Sequence, residues 1–87
     1  MAVVVLPRSL VELFPGTPRR VDARGATVGA LIADLDVRIP GLADRLCESG
    51  HRLRPHINVF VDADRASLDT PVRHDAVVHV IPAVSGG

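Results

Sequence analysis

From Val28 to Ile39 the apolar residues Val28, Leu31, Ile32, Leu35 and Ile39 recur three and four positions apart, which gathers them on one stripe of a helix. Thr27, following Gly25-Ala26, is the predicted N-cap, its hydroxyl accepting from a free backbone N–H. Asp34 and Arg38 stand four apart on the solvent side, and Pro40-Gly41 ends the helix. This is the one long helical pattern in the chain. A single amphipathic helix must bury its stripe against something, and the remaining segments read as extended chain. That combination predicts an α+β architecture with one main helix on one face of a sheet.

The extended segments are of two kinds. Ala2 to Leu6 is apolar at every position, the pattern of a central strand covered on both sides, with Pro7 at its end. His56 to Asp62 alternates, sending Ile57, Val59 and Val61 to the core and Asn58 and Phe60 to the other face. Val77 to Ile81 is the last strand, with Val78 and Val80 on one face, His79 and Ile81 on the other, and Pro82 closing it. Between these, Phe14 to Pro18 is dense in turn formers and reads as a hairpin loop. Arg19 to Ala23 reads as a polar edge strand, and Leu42 to Cys47 as one or two further helical turns stopped by Gly50. Asp62-Ala63-Asp64 is a turn, Arg65 to Leu68 a short strand, and Thr70-Pro71-Val72 an irregular crossing. The predicted order is β-β-α-β-β-β.

Eighty-seven residues, 47% of them hydrophobic, give one domain with one modest core. Ten Arg balance ten Asp and Glu, and the only aromatics are Phe14 and Phe60. Neither nucleic acid nor an anionic membrane is expected as a partner. There is no Lys, which excludes lysine-linked chains built on this protein. A lone Cys47 forms no internal disulfide, and no stretch approaches a membrane span, so a cytoplasmic location is expected.

After the last strand comes Pro82-Ala83-Val84-Ser85-Gly86-Gly87, with nothing large or charged. Two residues without Cβ fit a channel too narrow for a side chain. The chain is therefore expected to be a single domain, 1–87, with a flexible C-terminal tail at about 83–87 and an α-carboxylate at its tip.

The element order, the helix segment Thr27 to Leu35, the strand Ile57 to Val61 and the ending Ile81 to Gly87 together resemble the ubiquitin-like sulfur carriers. That group includes the carrier of the thiocarboxylate-dependent cysteine route, the small subunit of molybdopterin synthase and the thiamine-pathway carrier. The resemblance covers essentially the whole chain, and its specific part is the tail. It implies a β-grasp fold, a mixed sheet of four to five strands with one main helix. It also implies that a ubiquitin-activating-type adenylyltransferase, using ATP and magnesium, adenylates the Gly87 carboxylate. Sulfur then replaces the adenylate, and the thiocarboxylate delivers sulfide inside a sulfur-accepting synthase. That synthase is cysteine synthase-like, the molybdopterin synthase large subunit, or another thio-metabolite enzyme. Residues Pro82, Ala83, Val84, Ser85, Gly86 and Gly87 would enter the partner. The ending looks most like that of the cysteine-route carriers, with the molybdopterin synthase subunit as runner-up. A protein modifier joined through Gly87 to lysines on targets, and an adaptor with an inert tail, are the other classes.

The chain's own residues fit a co-substrate rather than a catalyst. Gly25 to Gly29 lacks the Gly-Lys-Ser/Thr ending of a P-loop, so no bound cofactor is expected and activation falls to a partner. Phe60, with Ile81 and His79 on the outward side, is the candidate docking surface; burial beneath a loop is the competing role for Phe60. Cys47 reads as a buried small hydrophobe rather than a thiol carrier. His51, His56, His74 and His79 lack the spacing of a metal site: His74 and His79 fall on opposite strand faces, and no metal is expected. Asp62 and Asp64 are explained by turn chemistry.

Overall fold

The computed structural model describes residues 1–83. Five strands form the main sheet: β1 (Ala2–Val5), β2 (Arg20–Ala23), β5 (Ile57–Val61), β6 (Asp64–Ala66) and β7 (Val77–Pro82). Their spatial order is β2-β1-β7-β5-β6, with β1 and β7 parallel at the centre and the other pairs antiparallel. The predicted mixed sheet is therefore present, with its last strand in the middle.

The helix α2 (Val28–Arg38) covers one face. Thr27 caps it as predicted, Oγ1 accepting the Ala30 N–H at 3.1 Å. Val28, Leu31, Ile32 and Leu35 are buried with Ala2, Val4, Val59, Val78 and Val80 from the sheet. Each fully buried Leu or Val of this layer contributes roughly 1.5–3 kcal/mol relative to an exposed one. The first-turn N–H groups of α2 have no helical partners, and the crossing after β6 supplies them: Val28 donates to the Thr70 carbonyl (3.1 Å) and Gly29 to that of Leu68 (2.9 Å). Leu68, Val72 and Ala76 of the same crossing are buried, so an irregular segment closes the core.

Asp34 ties the helix to the end of β2. Its Oδ2 accepts from the Arg24 backbone N–H at 3.0 Å and pairs with Arg38 at 3.1 Å. The Arg24 hydrogen bond, helped by the Arg38 charge, holds this carboxyl below the usual aspartate range. After Pro40 the chain turns through Gly41, at φ +97°, into α3 (Leu42–Leu46). Gly41 has no side chain to cap α3, and Asp36 does so from the preceding helix, Oδ1 accepting from Gly41 and Ala43 N–H groups at 3.2 and 2.9 Å.

Several details depart from the sequence reading. A helical turn, α1 (Arg8–Val11), precedes the Phe14–Pro18 loop and buries Leu10. Cys47 leaves the helix to begin a two-residue ladder, β3 (Cys47–Glu48) with β4 (Arg52–Leu53). The strand predicted over Arg65–Leu68 occupies Asp64–Ala66, because Leu68 turns in to meet α2. β1 is covered on one side only: Ala2 and Val4 are buried, while Val3 and Val5 are half-buried on the face opposite α2.

Candidate functional site

The tail leaves the domain from β7, the central strand. Val78 and Val80 point to the core, and Val77, His79 and Ile81 to the outer face, as the alternation required. Pro82 closes the strand as its last residue, one position beyond the predicted Ile81, and faces Ile57 in register. The Ala83 N–H still donates to the His56 carbonyl at 2.6 Å. N–H groups alternate in direction along a strand, so position 82 faces the β1 side, where pairing has already stopped at Val5–His79. A residue without an N–H costs nothing there. Val84, Ser85, Gly86 and Gly87, the other residues expected to enter a partner and to carry the chemistry, lie outside the described residues.

The outer face can be built row by row from the register. Phe60 lies opposite His79, and Asn58 opposite Ile81. His79 is level with Val5 on its other side. Val5 lies opposite Arg20, and Phe60 opposite Arg65. One row therefore crosses all five strands in the order Arg20, Val5, His79, Phe60, Arg65. Phe60 is half-buried, His79 is exposed and Ile81 is 44% exposed. Phe60, Ile81 and His79 thus share one surface beside the root of the tail. The Arg65 guanidinium is fixed on it by a 2.8 Å hydrogen bond to Asn58 Oδ1.

The turn from β5 to β6 stiffens the opposite end of β7. Asp62 and Ala63 both take positive φ, +47° and +79°. Asp62 exchanges two hydrogen bonds with Val77, its N–H donating to the Val77 carbonyl and its Oδ1 accepting the Val77 N–H, each at 3.0 Å. Sequence reading assigned Asp62 to the turn and missed its bond to the strand fifteen residues on, for which the chain carries no local signal.

The other candidates are dispersed. Cys47 is half-buried, and burial raises its thiol pKa. His51 pairs with Asp69 at 3.0 Å on an exposed edge, and His74 Nδ1 lies 3.3 Å from the N-terminal amine. Among the described residues no three His, Cys, Asp or Glu side chains gather to hold a metal, and no helix is long and apolar enough to cross a membrane. A surface groove lined by Leu13, Phe14, Gly41, Asp44, Arg45 and Arg54 sits between the α1–β2 connection and α3.

Comparison with known proteins decides what kind of domain this is. The ThiS family model matches residues 4–87. The chain belongs to the ThiS family. Sulfur carrier protein CysO of Mycobacterium tuberculosis strain H37Rv is 30% identical over 93 residues, covering 100% of both chains. Small archaeal modifier protein 3 of Haloferax volcanii is 35% identical over 66 residues, covering 71% of each. A chain of the Amycolatopsis orientalis BexX/CysO complex superposes with a TM-score of 0.88 at 30% identity, covering 100% of both chains. The fold is thereby a β-grasp, and the chain is a homologue of sulfur carriers and of ubiquitin-like modifiers.

Proposed function

We propose that this ThiS-family chain is a sulfur carrier whose Gly87 carboxylate is activated by a partner enzyme and converted to a thiocarboxylate. The observation that carries this reading is the whole-length match to sulfur carrier protein CysO, with the family model running to Gly87. In the proposed cycle a Gly87 carboxylate oxygen attacks the α-phosphorus of ATP, with magnesium held by the adenylyltransferase, and pyrophosphate leaves. A sulfur nucleophile then attacks the acyl carbon and displaces AMP. The resulting thiocarboxylate hands its sulfur to an acceptor in a second enzyme, and cysteine formation is the acceptor reaction favoured by the CysO likeness. The chain's own part is to hold out the tail on β7 and to be recognised through Phe60, His79 and Ile81. It is a co-substrate, working in the cytoplasm.

The test is intact mass after incubation with a cognate activating enzyme, ATP and a sulfur source. The mass should rise by the exchange of one oxygen for sulfur, and deletion of Gly87 should abolish the shift without changing the melting temperature. No shift with an enzyme active on its own carrier would sink the reading. Transfer is then assayed with O-phosphoserine and a cysteine synthase, and separately with the molybdopterin precursor and its large subunit.

The likeness to small archaeal modifier protein 3 supports a second reading, attachment of Gly87 to lysines of other proteins. Covalent ladders on lysate proteins, with no thiocarboxylate-dependent product, would favour it.

A further inference from the structure

The main sheet ends in two edge strands, β6 and β2. β6 is the shorter, and just beyond it Thr70 Oγ1 accepts the Ser67 N–H at 2.9 Å. β2 is the longer edge, and the register fixes which of its backbone groups face outward. The Leu6 N–H donates to the Arg19 carbonyl at 2.7 Å, so Arg19, Val21 and Ala23 are the residues bonded to β1. Alternation then turns the N–H and C=O groups of Arg20, Asp22 and Arg24 away from β1. Those are the groups that a further strand would use.

The helix α2 takes two of them. Arg38 Nη2 donates to the Asp22 carbonyl at 2.6 Å, Asp34 Oδ2 accepts the Arg24 N–H at 3.0 Å, and the two side chains pair at 3.1 Å. The spacing suits the task. Residues four apart on a helix are separated by about 6 Å along its axis, and residues two apart on a strand by about 7 Å. One helical turn therefore sets a donor beside Asp22 and an acceptor beside Arg24. An exposed ion pair adds little to stability by itself. This one spends its remaining hydrogen bonds on the sheet edge.

We infer that Asp34 and Arg38 close the β2 edge against the β2 strand of a second copy of this chain. In an antiparallel pairing centred on Asp22, the two Asp22 residues would exchange both their bonds, and each Arg24 N–H would reach the Arg20 carbonyl of the other copy. Arg38 already holds that acceptor and Asp34 that donor. The same register sets the two Asp22 carboxylates level on one face, where like charges repel. Centring on Val21 again calls on the Asp22 carbonyl. Centring on Arg20 sets Pro18, which has no N–H, against the Arg38 guanidinium, and the two Arg20 charges against each other. Each register that would join two copies along β2 thus meets the helix pair, and the chain stays single at its longer edge.

The closure of this edge does not depend on the sulfur-carrier reading, and its test needs the purified full chain alone. Mass in solution is followed by light scattering over a concentration series, and amide exchange is measured at Arg20 and Asp22. The wild type should stay monomeric. Asp34→Ala/Arg38→Ala should raise the self-association constant by about tenfold or more, with slower exchange at the Arg20 and Asp22 amides as the protein is concentrated. Glu48→Ala/Arg52→Ala removes an ion pair of the same spacing on the β3–β4 ladder and should stay monomeric. Adding Asp22→Pro to the Asp34/Arg38 variant deletes an outward N–H and should restore the monomer, since the β1 ladder does not use that group. Should the double variant fail to fold, Arg38→Met carries the test alone: it keeps the aliphatic stem, frees the Asp22 carbonyl and should associate measurably. A folded variant that stays monomeric with unchanged exchange overturns the inference. So does equal association in the Glu48/Arg52 control, association that survives Asp22→Pro, or a wild type that already pairs through β2.

Discussion

The two faces of the sheet are made from the same strands and nearly the same residue types, yet they are used in opposite ways. On the inner face Ala2, Val4, Val59, Val78 and Val80 vanish under α2. On the outer face Val3, Val5, Phe60 and Val77 stay half-buried and Ile81 exposed. Folding alone explains the first set. The second set stays partly open to solvent in the domain alone, and under the proposed function a partner would cover it. Under the proposed function, apolar residues of this small sheet would serve two separate burial events, one within the chain and one between chains.

Substitutions should divide along the same line. The largest stability effect is expected at Leu35, fully buried at 0% exposure, where Leu35→Ala should cost about 2–5 kcal/mol in denaturant unfolding. Thiocarboxylate formation by the fraction still folded should be intact. A catalytic defect in the folded fraction would break the comparison, since it would mean the inner face also serves recognition. On the outer face Phe60→Ala should do the reverse, raising KM for the activating enzyme about tenfold or more while costing less than about 1 kcal/mol of stability. A large loss of stability instead would make Phe60 a core residue.

The smallest effect is electrostatic and belongs to the edge between helix and sheet. The Arg24 N–H and Arg38 lower the Asp34 pKa, so the folded state favours the ionised carboxyl. Its contribution is present in full above the ordinary aspartate value and is lost as the pH falls through the lowered one. Asp34→Asn should flatten that part of the acid limb of an unfolding curve and leave outer-face binding untouched. An acid limb unchanged in the variant would remove Asp34 from the account.

What the chain announced in advance follows the reach of each signal. Periodicity acts within a few residues, and it placed α2, its Thr27 cap, β5 and the facing of β7 correctly. The unbroken apolar run of β1 predicts cover on both sides, and only one side is covered within the chain. The two-residue β3–β4 ladder is too short to carry a period, and α1 was hidden by a proline read as a strand end. The outward placement of Phe60, Ile81 and His79 was legible, because it depends on counting by two. The Arg20-to-Arg65 row was not, because it depends on the register of four strand pairs joined across most of the chain.

The central position of β7 has a mechanical consequence. The strand that continues into the tail is bonded to β1 on one side and β5 on the other, and its last described amide is still held by His56. A pull on the tail acts along the strand axis, so it loads both ladders in shear instead of unzipping one bond after another. Under the proposed function, a partner that draws on the chain beyond Ala83 would work against a block rather than against single bonds.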